Sequence, residues 1–112
     1  MRHGFPPRCA WLLLLLAAPL ARAADAPAPG ARGLWLRHCG PCHLQGGTGT
    51  FMLGRRLGQE RALLEERTDL TAEYVRTVVR HGIQSMPRFS RAELPDAELE
   101  QIARFLSAPK AP

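Results

Sequence analysis

The chain has 112 residues, with 15 Lys and Arg against 10 Asp and Glu and a formal net charge of +5 at pH 7. This length allows one small domain with a modest apolar core, a size at which natural proteins usually add a disulfide, a metal or a cofactor. Three of the basic residues, Arg2, Arg8 and Arg22, lie in the first 23 positions, so the remainder carries 12 basic against 10 acidic side chains. This near balance gives no indication of binding to nucleic acid or to an acidic membrane surface.

The first 23 residues have the features of a secretory signal peptide. Two arginines precede an apolar run over residues 12–16, and the segment closes on Ala21-Arg22-Ala23, a small-residue cleavage site. The apolar run is well below the roughly 20 residues that a transmembrane helix needs. We therefore expect cleavage near Ala23, export to the periplasm and no stable insertion into a membrane.

The next predicted element is a helix that leads into a cysteine motif. Apolar and thiol side chains recur at intervals of three and four residues, which indicates one helical face (Ala31, Leu34, Trp35, Cys39, Cys42). Residues 39–43 read Cys-Gly-Pro-Cys-His, the C-x-x-C-H spacing of c-type haem attachment. Two cysteines at this spacing can reach the two vinyl groups of one haem, and the adjacent His43 then ligates its iron. We expect one covalent haem c, bound through Cys39 and Cys42.

Two other chemistries use related cysteine patterns. Cys-Gly-Pro-Cys is also the active-site tetrapeptide of thioredoxin-like thiol-disulfide oxidoreductases, in which Cys39 would be the nucleophile and Cys42 the resolving thiol. That motif follows a strand in a βαβ context, whereas a helical pattern precedes it here. A zinc site is the weaker alternative, because Cys9 is expected to leave with the signal peptide and no further cysteine remains.

Three further elements are predicted after the motif. A short helix is expected over residues 58–67. An apolar stripe over 74–79 predicts a second helix, between an N-cap at Thr71 and a break at Gly82. A last amphipathic helix is predicted over residues 96–107. No segment alternates with period two for long enough to predict a strand, so the expected fold class is all-α.

These features together resemble the small bacterial class I c-type cytochromes. The resemblance rests on the haem-attachment motif, on Met86-Pro87 downstream of it and on the terminal amphipathic helix, and it covers nearly all of residues 30–107. It implies a class I cytochrome c fold over residues 31–108, with about three main helices and loops wrapped around one covalently bound haem, after a flexible lead-in over residues 24–30. It also implies that His43 and Met86 are the axial ligands of the iron.

The resemblance and the nearby residues assign further positions to the haem pocket. Gly49 is followed by Thr50 where the family usually has a proline, whose carbonyl accepts a hydrogen bond from the second ring nitrogen of His43. The carbonyl of Thr50 is available for the same bond, but without the fixed φ of proline, and whether Thr50 replaces the proline is left open. Met52, the rival ligand, matches an apolar position and is assigned to the pocket wall. Arg55 and Arg56 are expected to contact a haem propionate. Residues 56–67 either cover the propionate edge of the haem or form an unrelated surface helix.

The function expected from this ligation is one-electron transfer. With both axial positions filled by protein, the iron has no open site for a substrate, so the protein is expected to be a carrier and not an enzyme. Its expected partners are redox proteins, namely a periplasmic dehydrogenase and a terminal oxidase or another cytochrome. A narrower resemblance, to cytochrome subunits or partners of periplasmic flavoprotein dehydrogenases that oxidise aromatic alcohols, rests on residues 74–82 and 86–89. The thioredoxin-like reading and a haem protein with an open sixth position stay as alternatives.

Overall fold

The computed structural model describes Met1 and residues 30–110, and this part of the chain is built from helices. Its five α-helices are α1 (Ala31–His38), α2 (Gly40–His43), α3 (Thr48–Leu57), α4 (Ala72–His81) and α5 (Asp96–Ser107). Two short 3-10 helices, Gln59–Arg61 and Leu64–Glu66, lie between α3 and α4. The described residues contain no strand, only an isolated antiparallel bridge between Ile83 and Met86. The prediction of an all-α fold is confirmed.

Two predictions concern the N-terminal region. Apart from Met1 and Gly30, the predicted signal peptide and the predicted lead-in lie outside the described residues. Within residues 30–110, no helix combines the length and the apolar character needed to cross a membrane.

Helix α5 is the element on which both α1 and α4 pack. Its buried side chains meet those of α1 and α4 in a single apolar core, to which Leu70 and Leu94 contribute from the connecting segments. The remaining core residues are Leu34, Trp35, Val75, Val79, Leu99, Ile102, Ala103 and Leu106. The amphipathic patterns over 74–79 and 96–107 therefore identified the inward faces of α4 and α5.

The ends of α4 follow the signals in the sequence. The hydroxyl of Thr71 accepts a hydrogen bond from the backbone N–H of Tyr74 at 3.1 Å, as an N-cap does. Gly82 ends the helix with φ 73°, a left-handed conformation that glycine adopts at low cost.

Two elements between the motif and α4 differ from the prediction. Helix α3 was not predicted, because Thr48, Gly49, Thr50 and Gly54 have low helix propensity. The helix expected over residues 58–67 is wrong, and two separate 3-10 helices stand in its place. The physical reason is that Gly58 ends α3 with φ 98° and Leu63 is extended, so a continuous helix cannot pass through this segment.

Arg80, near the end of α4, holds the loop that follows. Its guanidinium donates hydrogen bonds to the carbonyls of Phe89 (3.1 Å), Ser90 (3.3 Å) and Leu94 (2.8 Å) and to the carboxylate of Asp96 (2.7 Å). The Arg80 side chain is only 15% exposed. One guanidinium thus ties α4, the segment over 89–94 and the start of α5 together, because its donors form a planar fork that can serve several acceptors.

We predict that Arg80→Gln lowers the free energy of unfolding of the protein by about 2–4 kcal/mol, because partly buried carbonyls lose charged donors. Guanidinium denaturation measures this loss. Arg104→Gln is the control, since that guanidinium is 76% exposed and pairs with Glu100 four residues away. Such an exposed pair contributes about 0.3–0.5 kcal/mol. Equal losses in the two variants would show that the contacts of Arg80 do not hold the loop.

Candidate functional site

A cavity of about 560 Å³ is bounded by all five α-helices and by the loop after α4. Its volume lies within the range of roughly 300–1,000 Å³ seen for small-molecule and cofactor sites. Six of the core residues form part of its wall, namely Trp35, Leu70, Val75, Val79, Ile102 and Leu106. The core therefore continues directly into the lining of the cavity, and a bound apolar group would extend the core.

The motif residues line this cavity on one side. Cys39 forms the turn between α1 and α2, and the single turn of α2 carries Cys42 and His43. The turn is closed by a hydrogen bond of 3.0 Å from the backbone N–H of His43 to the carbonyl of Cys39. Pro41 in the first turn of α2 favours this geometry, because its φ is already helical. Both thiols are free.

The imidazole of His43 is held neutral and lacks one hydrogen bond. Burial lowers the pKa of His43, which favours the uncharged ring that binds metals. Its Nδ1 is buried without a hydrogen-bond partner among the described residues, and so is the indole nitrogen of Trp35, whose ring centre lies 6.0 Å away. Buried polar groups are seldom left unpaired, so these two atoms are exceptions among the described residues.

Helix α3 packs directly against this imidazole. A Cβ atom on Gly49 would lie 2.9 Å from Cε1 of His43 and 2.9 Å from the carbonyl oxygen of Cys42. Thr50 anchors the start of α3 through its side chain, since its hydroxyl donates to the carbonyl of Leu44 at 2.8 Å. The hydrogen bond from His43 that the sequence left open for the Thr50 carbonyl is not formed, because that carbonyl lies within a helix, where the amide four residues later takes it.

Met86 reaches the same cavity from the loop after α4. Ile83 and Met86 exchange two backbone hydrogen bonds, of 3.2 and 2.9 Å, and Gln84 between them has φ 53°. The backbone N–H of Phe89 donates to the carbonyl of Val79 at 2.8 Å, which docks the loop on α4. The position of Met86 is thus set by backbone contacts on both sides.

Met52 is the second methionine in the cavity wall. It lies on α3, and 48% of its surface is exposed, whereas Met86 is half-buried. A wall position is what the sequence predicted for Met52, and the structure places it there.

The arginines around the cavity differ in part from the prediction. Arg56 lines the cavity, but the guanidinium of Arg55 lies over the ring of Phe51, 5.7 Å from its centre, and not in the cavity wall. Arg61 and Arg67, which were not singled out from the sequence, do line the cavity. The sequence feature that could have identified them is the charged segment over 56–67, since one of its two interpretations was that it covers the propionate edge of the haem.

The two alternatives from the cysteine pattern find no support in the described residues. Burial, followed by the charge of Cys42, raises the pKa of Cys39 to about 12, whereas a nucleophilic cysteine needs a lowered pKa. No βαβ unit surrounds the motif in residues 30–110. Nor do these residues contain a group of three or more His, Cys, Asp or Glu side chains arranged to hold a metal ion.

The family described as cytochrome c oxidase, cbb3-type, subunit III, matches residues 26–106. The chain belongs to this family of c-type cytochromes. A chain in the crystal structure of p-cresol methylhydroxylase with substrate bound is similar, with a TM-score of 0.55, 30% sequence identity and coverage of 73% of this chain and 95% of that one. A chain in a second structure of p-cresol methylhydroxylase, at 2.5 Å resolution, is also similar. Its TM-score is 0.54 and its sequence identity 30%, with coverage of 70% of this chain and 92% of that one. No curated protein matches the chain significantly.

Family membership gives the chain a class I cytochrome c fold and a covalently bound c-type haem. The residues present fit that group. The cavity wall supplies two thiols, an imidazole, two thioethers and an apolar surface, and the two unpaired polar atoms belong to residues of the same wall.

We predict that Gly49→Ala destabilises the haem-loaded protein by about 1–3 kcal/mol, because the added methyl group would overpack the contact between α3 and His43. Guanidinium denaturation measures the loss, and the ring proton resonances of His43 in the NMR spectrum of the ferrous protein report whether the imidazole moves. Gly30→Ala is the matched control, since its Cβ would have nothing within 4 Å and its φ is −60°. Similar stabilities of the two variants would contradict the close approach.

Proposed function

We propose that this protein is a periplasmic one-electron carrier that binds haem through Cys39 and Cys42 and ligates its iron with His43 and Met86. The single observation that carries the proposal is that these four side chains, from α2, its preceding turn and the loop after α4, line one apolar cavity. When bound, a c-type haem with His and Met ligands exchanges one electron, and the thioether raises its reduction potential.

In this function the protein positions the groups that bind the haem and keeps water out of the cavity. The α2 turn places both thiols and the imidazole on one side, and burial keeps the imidazole uncharged. The backbone hydrogen bonds around Met86 hold the loop in place, and the docking of Phe89 on Val79 extends that constraint to α4. Apolar wall residues keep the site dry, which also shifts the potential upward.

The chain organisation proposed with this function has three parts. Residues 1–23 are the signal peptide, 24–30 a flexible lead-in and 31–108 the cytochrome domain. The charged start, the short apolar run and the small residues before position 24 support export to the periplasm.

Redox proteins are the partners, and we propose a dehydrogenase as donor and a terminal oxidase or another cytochrome as acceptor. The similarity to chains of p-cresol methylhydroxylase, whose name gives an aromatic substrate, favours a donor that oxidises aromatic compounds.

The loop after α4 both lines the cavity and is exposed at the surface, through Ile83, Gln84, Ser85 and Pro87. This loop can bring a partner close to the haem in a small transient interface, while the carrier itself performs no reaction on a substrate.

The first test is whether haem is covalently bound. The full chain, exported from its host and purified, is expected to keep its haem after denaturation and to give the pyridine haemochrome spectrum of a haem with two thioether links. Cys39→Ala and Cys42→Ala are each expected to remove one link and shift that spectrum. A colourless protein with two titrating thiols would contradict the proposal and support the alternative of a thiol-disulfide oxidoreductase.

The second test compares the two methionines of the cavity. Met86→Ala is expected to abolish the methionine-to-iron charge-transfer band of the ferric protein and to lower its reduction potential, because the sixth ligand is lost. Met52→Ala is the matched control and is expected to keep the band. The opposite pattern would make Met52 the ligand, and a wild-type protein without the band would support a haem with an open sixth position.

A further inference from the structure

A cluster of three charged side chains between α3 and α4 has no role in the function proposed above. Asp69 accepts hydrogen bonds from Nη2 of Arg61 at 2.6 Å and from Nε and Nη2 of Arg67 at 2.7 Å each. We call Arg61, Arg67 and Asp69 the arginine clamp. Both of its arginines line the cavity, although its carboxylate does not.

The burial of Arg67 separates it from the other arginines near the cavity. Its side chain is 11% exposed, against 46% for Arg61, and Arg55 and Arg56 are exposed as well. An arginine is seldom buried to this degree unless it is paired. Burial of its long side chain in the cavity wall, with the head group held by Asp69, gives Arg67 a defined position.

The geometry of the clamp leaves donors of Arg67 unused. Asp69 engages Arg67 through Nε and Nη2, which fixes the plane of the guanidinium, and Nη1 has no partner among the described residues. The hydrogen bonds with Asp69 raise the pKa of Arg67 and lower that of Asp69, so both of these groups are charged. Two cations against one anion leave the clamp with one net positive charge at an otherwise apolar wall formed by Leu64 and Leu70.

A haem carries two propionate carboxylates, and each must exchange water for protein donors if it is buried with the ring. We propose that Arg67, oriented by Asp69 and supported by the charge of Arg61, donates hydrogen bonds to a propionate of the haem. This inference rests on the proposed function. Of the two predicted propionate partners, Arg56 lines the cavity and Arg55 does not, and this inference puts Arg67 in the place of Arg55. It also assigns the segment over 56–67 and its neighbour Asp69 to the propionate edge of the haem.

The reduction potential provides a measurement that a purely structural ion pair would not change. An ionised propionate stabilises ferric iron, so the potential falls as the propionate loses its proton with rising pH. A neighbouring guanidinium lowers a carboxyl pKa by roughly 1–3 units. In wild-type holoprotein the propionate is therefore ionised through the neutral range, and the potential is flat there.

The experiment compares the pH dependence of the midpoint potential in wild-type holoprotein, Arg67→Gln and Arg55→Gln. Arg67→Gln is expected to move the fall in potential to higher pH by about one unit or more, a roughly tenfold or larger gain in the proton affinity of the propionate. Arg55→Gln removes the same charge outside the cavity and is expected to keep the wild-type curve. His38 and Tyr74, the other titratable side chains of the wall apart from the motif residues and the arginines, are unchanged in all three proteins.

Arg67→Lys keeps the charge but not the bidentate fork, so an intermediate shift is expected. Coincident curves for Arg67→Gln and Arg55→Gln would overturn the inference while leaving the carrier function intact. If Arg67→Gln fails to incorporate haem, a crystal structure of the wild-type holoprotein decides: a propionate oxygen within about 3.2 Å of an Arg67 nitrogen supports the inference, and its absence overturns it. Wild-type protein without covalent haem, seen first in the haemochrome test, would overturn both proposals.

Discussion

The apolar wall shared by the core and the cavity is the constraint on which the rest of this structure depends. Trp35, Val79 and Ile102 each contact the core and the cavity at once. A domain of about eighty residues has little apolar surface to bury, so a large apolar cofactor completes what the side chains cannot. Folding therefore depends on the cofactor, since without it the apolar wall would surround a cavity that no side chain fills.

Helix caps and apolar patterns in the sequence predicted the helices that form the core. They did not predict the segments whose conformation depends on tertiary contacts. Thr71 and Gly82 bound α4 as the sequence indicates, and the apolar stripe of α5 faces inward. Helix α3 was not predicted from the sequence, because glycine and threonine have low helix propensity. A glycine at position 49 is required because α3 approaches His43 closely, and the helix propensities of single residues do not report such a packing contact.

The site was predictable in its chemistry but only partly in its surroundings. A motif of five residues defined the thiols and the imidazole, because their spacing is set by covalent chemistry. Arg55 and Arg67 could not be ranked in the same way, since both are arginines near a pocket. The difference lies in where each guanidinium points, since that of Arg55 lies over Phe51 and that of Arg67 is held by Asp69. The backbone path through two 3-10 helices sets the position of Arg67.

Arginine performs the same task at two places in this chain. Arg80 joins α4 to the segment over 89–94 that follows the Met86 loop, and Arg61 and Arg67 hold Asp69 in the segment between α3 and α4. Loops have no internal ladder of hydrogen bonds, so their carbonyls and turns need donors from elsewhere, and a guanidinium supplies several from one buried position. An electron carrier gains from this arrangement, because charged side chains that stay fixed before and after α4 leave little to reorganise when the charge of the bound group changes by one.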